Sequence, residues 1–244
     1  MMKRIVICGL LAAATTAHAA ITPDRTRLIF NGEEKSISVT LKNDNSKKPY
    51  LAQAWVEDVN GNKINSPLTV LPPVQRIESL SSGQVKVQGM PGLASLPQDR
   101  ETLFYFNVRE IPPKSSKPNT LQIALQTRIK LFYRPAAISK VDMLHPWQNK
   151  VTLVKEGSRY KVVNPTAWYV VIGGASPTVS GKSIEKFTAL VLAPNSSQMM
   201  NIDASELGSS PVLTYVNDYG GRLPLVFRCS GTTCVVDEAK SGKS

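Results

Sequence analysis

Between Asn119 and Pro135 the apolar residues Leu121, Ile123, Leu125, Ile129 and Leu131 all fall on odd positions, and only Thr127 interrupts them. A two-residue spacing places side chains on one face of a β-strand. The opposite face carries Gln122, Gln126, Arg128 and Lys130. One long strand is expected over the whole run, ending in a basic cluster. Such a strand either serves a core or is kept available for another chain.

The same period recurs along most of the sequence. Residues 36–41 and 84–88 alternate, 50–56 reads as a buried strand around Trp55, and 102–108 is apolar on both faces, as expected of a central strand. Turn formers separate them at Asn31-Gly32, Asn60-Gly61-Asn62, Ser82-Gly83 and Pro112-Pro113. A second series follows: 150–154 and 160–163 as a hairpin around Glu156-Gly157, then 168–172, 187–192, 198–202, 212–216 and 223–228. No helical stripe of any length appears. Strands at this spacing predict an all-β protein of two β-sandwiches. The break between them is placed at 136–144, where strand patterning lapses. The polar tail from Asp237 to Ser244 is expected to be disordered.

The beginning of the chain has a different pattern. Lys3 and Arg4 precede an apolar run over 5–14, too short to span a bilayer as a helix, and Ala17-His18-Ala19 has the A-x-A form of a cleavage site. A signal peptide over 1–19, a mature start at Ala20 and export without membrane insertion are expected. The mature chain then has 225 residues, 244 minus 19, a comfortable length for two sandwiches. Cys8 leaves with the leader, while Cys229 and Cys234 remain around Ser230-Gly231-Thr232-Thr233. In an oxidising compartment this pair reads as a disulfide across a hairpin, ahead of two free thiols or a metal site.

Charge narrows the partners. The whole chain has 29 Lys and Arg against 18 Asp and Glu; losing Lys3 and Arg4 leaves 27 against 18, a mature net charge of +9. A basic balance favours acidic partners, but the basic residues are scattered, and for an exported protein nucleic acid is not the expected one. Catalytic chemistry finds no support. His145 is the single mature histidine, so a two-histidine metal site and a triad lack their parts. Ile172-Gly173-Gly174-Ala175 lacks the spacing of a phosphate loop, and Glu33-Glu34 reads as a solvated turn. No catalytic residue, metal or cofactor is expected.

Four segments then carry a resemblance: Arg25-Thr26-Arg27-Leu28-Ile29-Phe30, residues 103–113 (Leu-Phe-Tyr-Phe-Asn-Val-Arg-Glu-Ile-Pro-Pro), residues 129–135 (Ile-Lys-Leu-Phe-Tyr-Arg-Pro), and Asn217-Asp218-Tyr219-Gly220-Gly221. In this order, from about Ala20 to Val236, they resemble the periplasmic pilus chaperones. The resemblance implies two immunoglobulin-like domains in an L-shaped arrangement, here 20–138 and 139–244, and a periplasmic protein that caps pilus subunits by strand addition and delivers them to an outer-membrane usher. Arg27 and Lys130 match the cations that hold, between the domains, the carboxylate at the C-terminus of the bound pilus protein. Leu121, Ile123 and Leu125 match the residues that fill the subunit's groove. Glu101, Arg134 and Asp218 match an interdomain salt-bridge network. The short connection from Pro112 to Asn119 resembles the branch that serves rod-like pili of several subunit types. Lys130 and the odd-numbered apolar residues point to opposite faces of a plain pleated strand; a bulge, or a subunit terminus approaching from the edge, would reconcile the two roles. The free protein is expected to cover its apolar strand by self-association.

Three other readings compete. A pilus subunit or adhesin would carry an N-terminal donor extension, for which Arg25-Thr26-Arg27 leaves little room after Ala20. An exported enzyme lacks its nucleophile motif. A polysaccharide or membrane-surface binder rests on charge alone.

Overall fold

The computed structural model describes residues 19–242. The expected leader therefore lies, except for Ala19, outside the described residues. Ten strands build the first half: β1 (Ile21–Pro23), β2 (Arg27–Asn31), β3 (Ser36–Asn43), β4 (Tyr50–Glu57), β5 (Lys63–Ile64), β6 (Leu68–Leu71), β7 (Val74–Ile77), β8 (Ser82–Gly89), β9 (Thr102–Ile111) and β10 (Gln126–Arg134). One sheet runs β1-β3-β8-β6, the other β2-β10-β9-β4-β5, with β7 also on β4. Their facing residues close over a core that includes Leu28, Phe30, Val39, Val85, Phe106 and Leu131. Alternation along each strand sends the other set of side chains outward.

Eight strands build the second half: β11 (Thr152–Glu156), β12 (Arg159–Asn164), β13 (Val170–Ser176), β14 (Leu190–Leu192), β15 (Ser196–Asp203), β16 (Val212–Val216), β17 (Arg222–Ser230) and β18 (Thr233–Val236). The order is β14-β13-β16-β17-β18-β11-β12-β15. The first part of β17 pairs with β16 and the last part with β18, so this strand passes from one layer of the sandwich to the other. Leu153, Val162, Ile172, Leu213, Leu225 and Phe227 lie in a separate second core. The molecule is all-β, with two β-sandwich domains and only short 3-10 turns besides strands among the described residues. Cys229 and Cys234 face each other across the β17–β18 hairpin and form a disulfide.

Several sequence expectations shift. The long strand is not continuous over 119–135: β10 begins at Gln126. Its neighbour β9 ends at Ile111, and Pro112 and Pro113 follow, with no N–H to extend the ladder. The last ladder-like bond runs from Glu110 N to Leu125 O at 3.0 Å. The tail is also not disordered through Gly242. Asp237 N donates to Val226 O, Ser241 Oγ accepts from Val226 N, and Gly242 N donates to Pro224 O, so the tail satisfies backbone groups along β17. The strand placed at 168–172 begins at Val170. Strands β1, β5, β6 and β7 escape pattern reading because they are two to four residues long, and β6 and β7 are set among Pro67, Pro72 and Pro73.

Candidate functional site

The site is built on β10, whose alternation separates two jobs. Leu131 and Tyr133 point into the first core, with Ile129 packed against it. Phe132, on the opposite face, meets Leu103 and Val171, and Ile29, Tyr105, Tyr169 and Val216 pack around them. That small apolar cluster joins the two sandwiches. The basic residues Arg128, Lys130 and Arg134 share its face of β10, because they lie at even positions.

Arg134 is fully engaged there. Its Nε donates to Glu101 Oε1 at 2.8 Å, and Nη1 and Nη2 donate to the two Asp218 oxygens at 2.9 and 3.2 Å. Glu101 Oε2 also accepts from Tyr169 N at 2.7 Å, while Glu101 N donates to Ala167 O. Glu101 and Arg134 are buried. Burial pushes the Glu101 carboxyl up to about 7, against the opposing pull of Arg134 and the Tyr169 N–H. Asp218 is delivered by the turn of the Asn217–Gly221 motif, in which Asn217 Oδ1 accepts from Tyr219 N and Gly221 N. Gly220 has φ +84°, and a Cβ there would lie 2.5 Å from Thr26 Oγ1. Only glycine lets this turn of the second domain approach the start of β2 so closely.

Arg27 and Lys130 are direct neighbours in the parallel β2–β10 pairing. Arg27 Nη1 donates to Val216 O at 3.1 Å, but its buried Nε has no partner. Among the described residues, neither cation makes an ion pair with a carboxylate. Burial lowers the Lys130 ammonium pKa, and Arg27 and Arg128 lower it further by repulsion. Burial likewise lowers that of Arg27, with Asp218 opposing. Arg27, Arg134, Asp218, Asp24 and Arg25 line a cleft of about 600 Å³ between the domains. Arg25 pairs with Asp24 and Arg134 with Asp218, which leaves Arg27 as the lining arginine without a carboxylate among the described residues. The pair is suited to one added carboxylate: two cations, one of them holding an unused, desolvated N–H.

Leu121, Ile123 and Leu125 are 86%, 65% and 36% exposed. They continue the parity of Ile129 and Leu131 beyond the sandwich, where the first core has ended. The tension between Lys130 and the odd-numbered residues therefore needs no bulge, since one face of β10 meets the domain junction and the other meets the core and then open space. β2 covers the outer edge of β10 only from Lys130 onward, leaving the edge at 126–129 unpaired among the described residues.

A polar array beside this edge has no signature in the sequence pattern. Trp55 Nε1 donates to Glu57 Oε1, Arg128 Nε donates to Glu57 Oε2 at 2.9 Å, and the Arg128 guanidinium lies 3.3 Å from the Tyr105 ring centre. These residues lie on three different strands, so no local spacing announces them. Trp147 is likewise unannounced; its ring lies 5.2 Å from the Arg134 guanidinium.

Comparison with known proteins gives a family. Residues 20–139 match the N-terminal domain model of the pili and flagellar-assembly chaperone PapD, and 146–227 match the C-terminal domain model of the pili assembly chaperone PapD. The chain is 60% identical to the probable fimbrial chaperone YfcS of Escherichia coli K12 over 96% of this chain and 92% of that protein. It is 45% identical to the chaperone protein PapD of Escherichia coli over 98% and 99%. The crystal structure of the Pseudomonas aeruginosa CupB2 chaperone superposes with a TM-score of 0.71 at 28% identity, over 86% of this chain and all of that one.

Proposed function

The chain belongs to the pili assembly chaperone family, a non-enzymatic one, and on that premise we propose that it captures pilus subunits by strand addition in the periplasm and hands them to an outer-membrane usher. In this reading the leader 1–19 is removed on export, and domains 20–138 and 139–244 act as one unit around the cleft. The carrying observation is the open pair Arg27–Lys130, a buried arginine beside a half-buried lysine with neither in an ion pair among the described residues. The C-terminal carboxylate of a bound pilus protein completes it.

The strand geometry supplies a direction. β2 runs parallel to β10 and starts at the Lys130 register. A subunit strand ending in a carboxylate at Arg27 and Lys130 would lie in line with β2, also parallel to β10, and occupy the free edge. From Lys130 back to Leu121 is nine residues, roughly 30 Å of extended chain. Along it Leu121, Ile123 and Leu125 enter the subunit's groove; fully burying each contributes roughly 1.5–3 kcal/mol before ordering costs. Glu101, Arg134 and Asp218 hold the two domains at the angle that keeps the cleft open. The free chaperone covers its apolar segment by pairing with a second copy.

The test is co-purification from periplasm of the tagged protein and of the Arg27→Ala/Lys130→Ala double variant, each expressed with the pilus subunits of its own source. The wild type retains subunits, and the folded double variant loses them. Equal recovery by both would remove the anchor, and no recovery by the wild type would remove the chaperone reading.

A further inference from the structure

Glu110 lies on β9, is only 6% exposed, and has no cation paired with it among the described residues. Its Oε2 accepts from two successive backbone N–H groups, Ala20 N at 2.5 Å and Ile21 N at 3.0 Å. Ala20 is the residue at which the A-x-A pattern starts the mature chain. We propose that the α-ammonium of processed Ala20 seats on the Glu110 carboxylate, so that removal of the leader creates a structural cation inside the first domain. This rests on the reading of 1–19 as a cleaved leader.

The chemistry is hydrolysis by a signal peptidase. Water adds across the Ala19–Ala20 bond, placing hydroxyl on the Ala19 carbonyl carbon and hydrogen on the Ala20 nitrogen, which takes up a further proton at neutral pH. No heavy atom of Ala20 has to move. Its carbonyl already accepts from Asp44 N at 2.8 Å, and Ala20 itself is buried. Before cleavage the carboxylate is met only by neutral N–H groups, with no opposite charge in contact with it among the described residues. After cleavage the same contact becomes a charge-assisted one.

Position gives the contact a consequence. Ala20 leads into β1, which belongs to the β1-β3-β8-β6 sheet, whereas Glu110 belongs to the facing sheet. The contact therefore clips the two layers together. Glu110 also donates its own N–H to Leu125 O, at the point where the exposed 121–125 segment leaves the sheet. The processed terminus thus strengthens a brace at the root of the subunit-binding segment, one that in the leader-bearing chain consists of neutral N–H contacts alone.

The test uses protein purified from the periplasm, with intact mass first identifying its first residue. Pulsed reductive methylation at neutral pH then reads how accessible the α-amine is. In the native wild type the Ala20 amine should react roughly tenfold or more slowly than in the Glu110→Gln variant or in the denatured wild type, as a charge-assisted contact implies. A chain carrying Ala19 as an additional first residue should show an unprotected amine. In that background Glu110→Gln should cost less stability than in the processed chain, a coupling read by a double-mutant cycle. If the native and denatured wild type react alike, the docking is wrong although the processing stands. A first residue other than Ala20 overturns the processing reading and the docking with it. The native-to-denatured comparison decides the matter even if Glu110→Gln fails to fold.

Discussion

Three basic side chains stand on one face of β10, at positions 128, 130 and 134, yet they are treated differently. Arg128 is paired with Glu57, and Arg134 with Glu101 and Asp218, whereas Lys130 between them is flanked by Arg27 on one strand and Tyr105 on the other and makes no ion pair with a carboxylate among the described residues. The outer two are closed sites that tie strands and domains to one another. The middle one is open, held in place by the same scaffold with no ion pair of its own among the described residues. The difference teaches where to look for a partner: at a charge that folding has desolvated but not neutralised. It also separates two kinds of mutational effect, one on the folded state and one on capture.

The sharpest way to break that contrast is Arg134→Ala. It leaves Glu101 in a buried site without its cation, and removing one member of a buried pair costs roughly 3–5 kcal/mol. Arg27→Ala should instead cost clearly less, because it breaks no ion pair and gives up only the bond to Val216 O and the weaker attraction of Asp218. Chemical denaturation of both variants checks this, and equal destabilisation would erase the distinction between closed and open sites.

The apolar stripe of the same strand divides in a parallel way. Leu131→Ala should cost roughly 2–5 kcal/mol of stability, as core truncations do. Ile123→Glu, at an exposed position, should stay within about 0.5 kcal/mol in stability while weakening the capture of pilus proteins. If Ile123→Glu unfolds the first domain, residue 123 belongs to the core.

The closed site should show itself in the pH dependence of stability. The Glu101 carboxyl has its folded value raised to about 7 from an ordinary 4.5. Between these values the folded state keeps a proton that the unfolded state releases. Its contribution is therefore fully present below about 4.5 and is lost as pH rises to about 7, by up to roughly 3 kcal/mol. Glu101→Gln should flatten that slope in unfolding measured across the window.

The open site should titrate through binding. Losing one cation of the pair, by Arg27→Ala or Lys130→Ala, should weaken capture of a peptide carrying the C-terminal sequence of a pilus protein by roughly 10- to 150-fold, the equivalent of about 1.5–3 kcal/mol. The smallest effect expected is at alkaline pH. Lys130 has a lowered pKa, so it loses its proton earlier than a free lysine, and peptide affinity should fall as pH rises through that value. Bound carboxylate favours the charged form, so binding in that range should take up protons, which calorimetry in buffers of different ionisation heat would detect.

Much of this was legible in the sequence. The alternation at 36–41, 84–88 and 102–108 corresponds to β3, β8 and β9, and the spacing of Cys229 and Cys234 to a hairpin disulfide. Proline-bounded β6 and β7 were too short to show a period. The array of Trp55, Glu57, Tyr105 and Arg128 was not legible, because strand pairing assembles it from three segments. Glu110 gave no signal either, since its two bonds go to backbone groups some ninety residues away.

What the sequence by itself determined is which residues share a face. The pleat has a period of two, so parity alone sorts Lys130 and Arg134 from Ile123 and Leu131. What each face meets was decided by the tertiary structure. β9 stops before Pro112, so the stripe that is buried at Leu131 emerges uncovered at Leu121. The Asn217–Gly221 turn folds against Thr26, so Arg134 receives Asp218. No such partner reaches Arg27 and Lys130 among the described residues. The reason is physical: parity is a property of neighbouring peptide units, whereas neutralising a buried charge depends on which distant segments the two cores bring beside it.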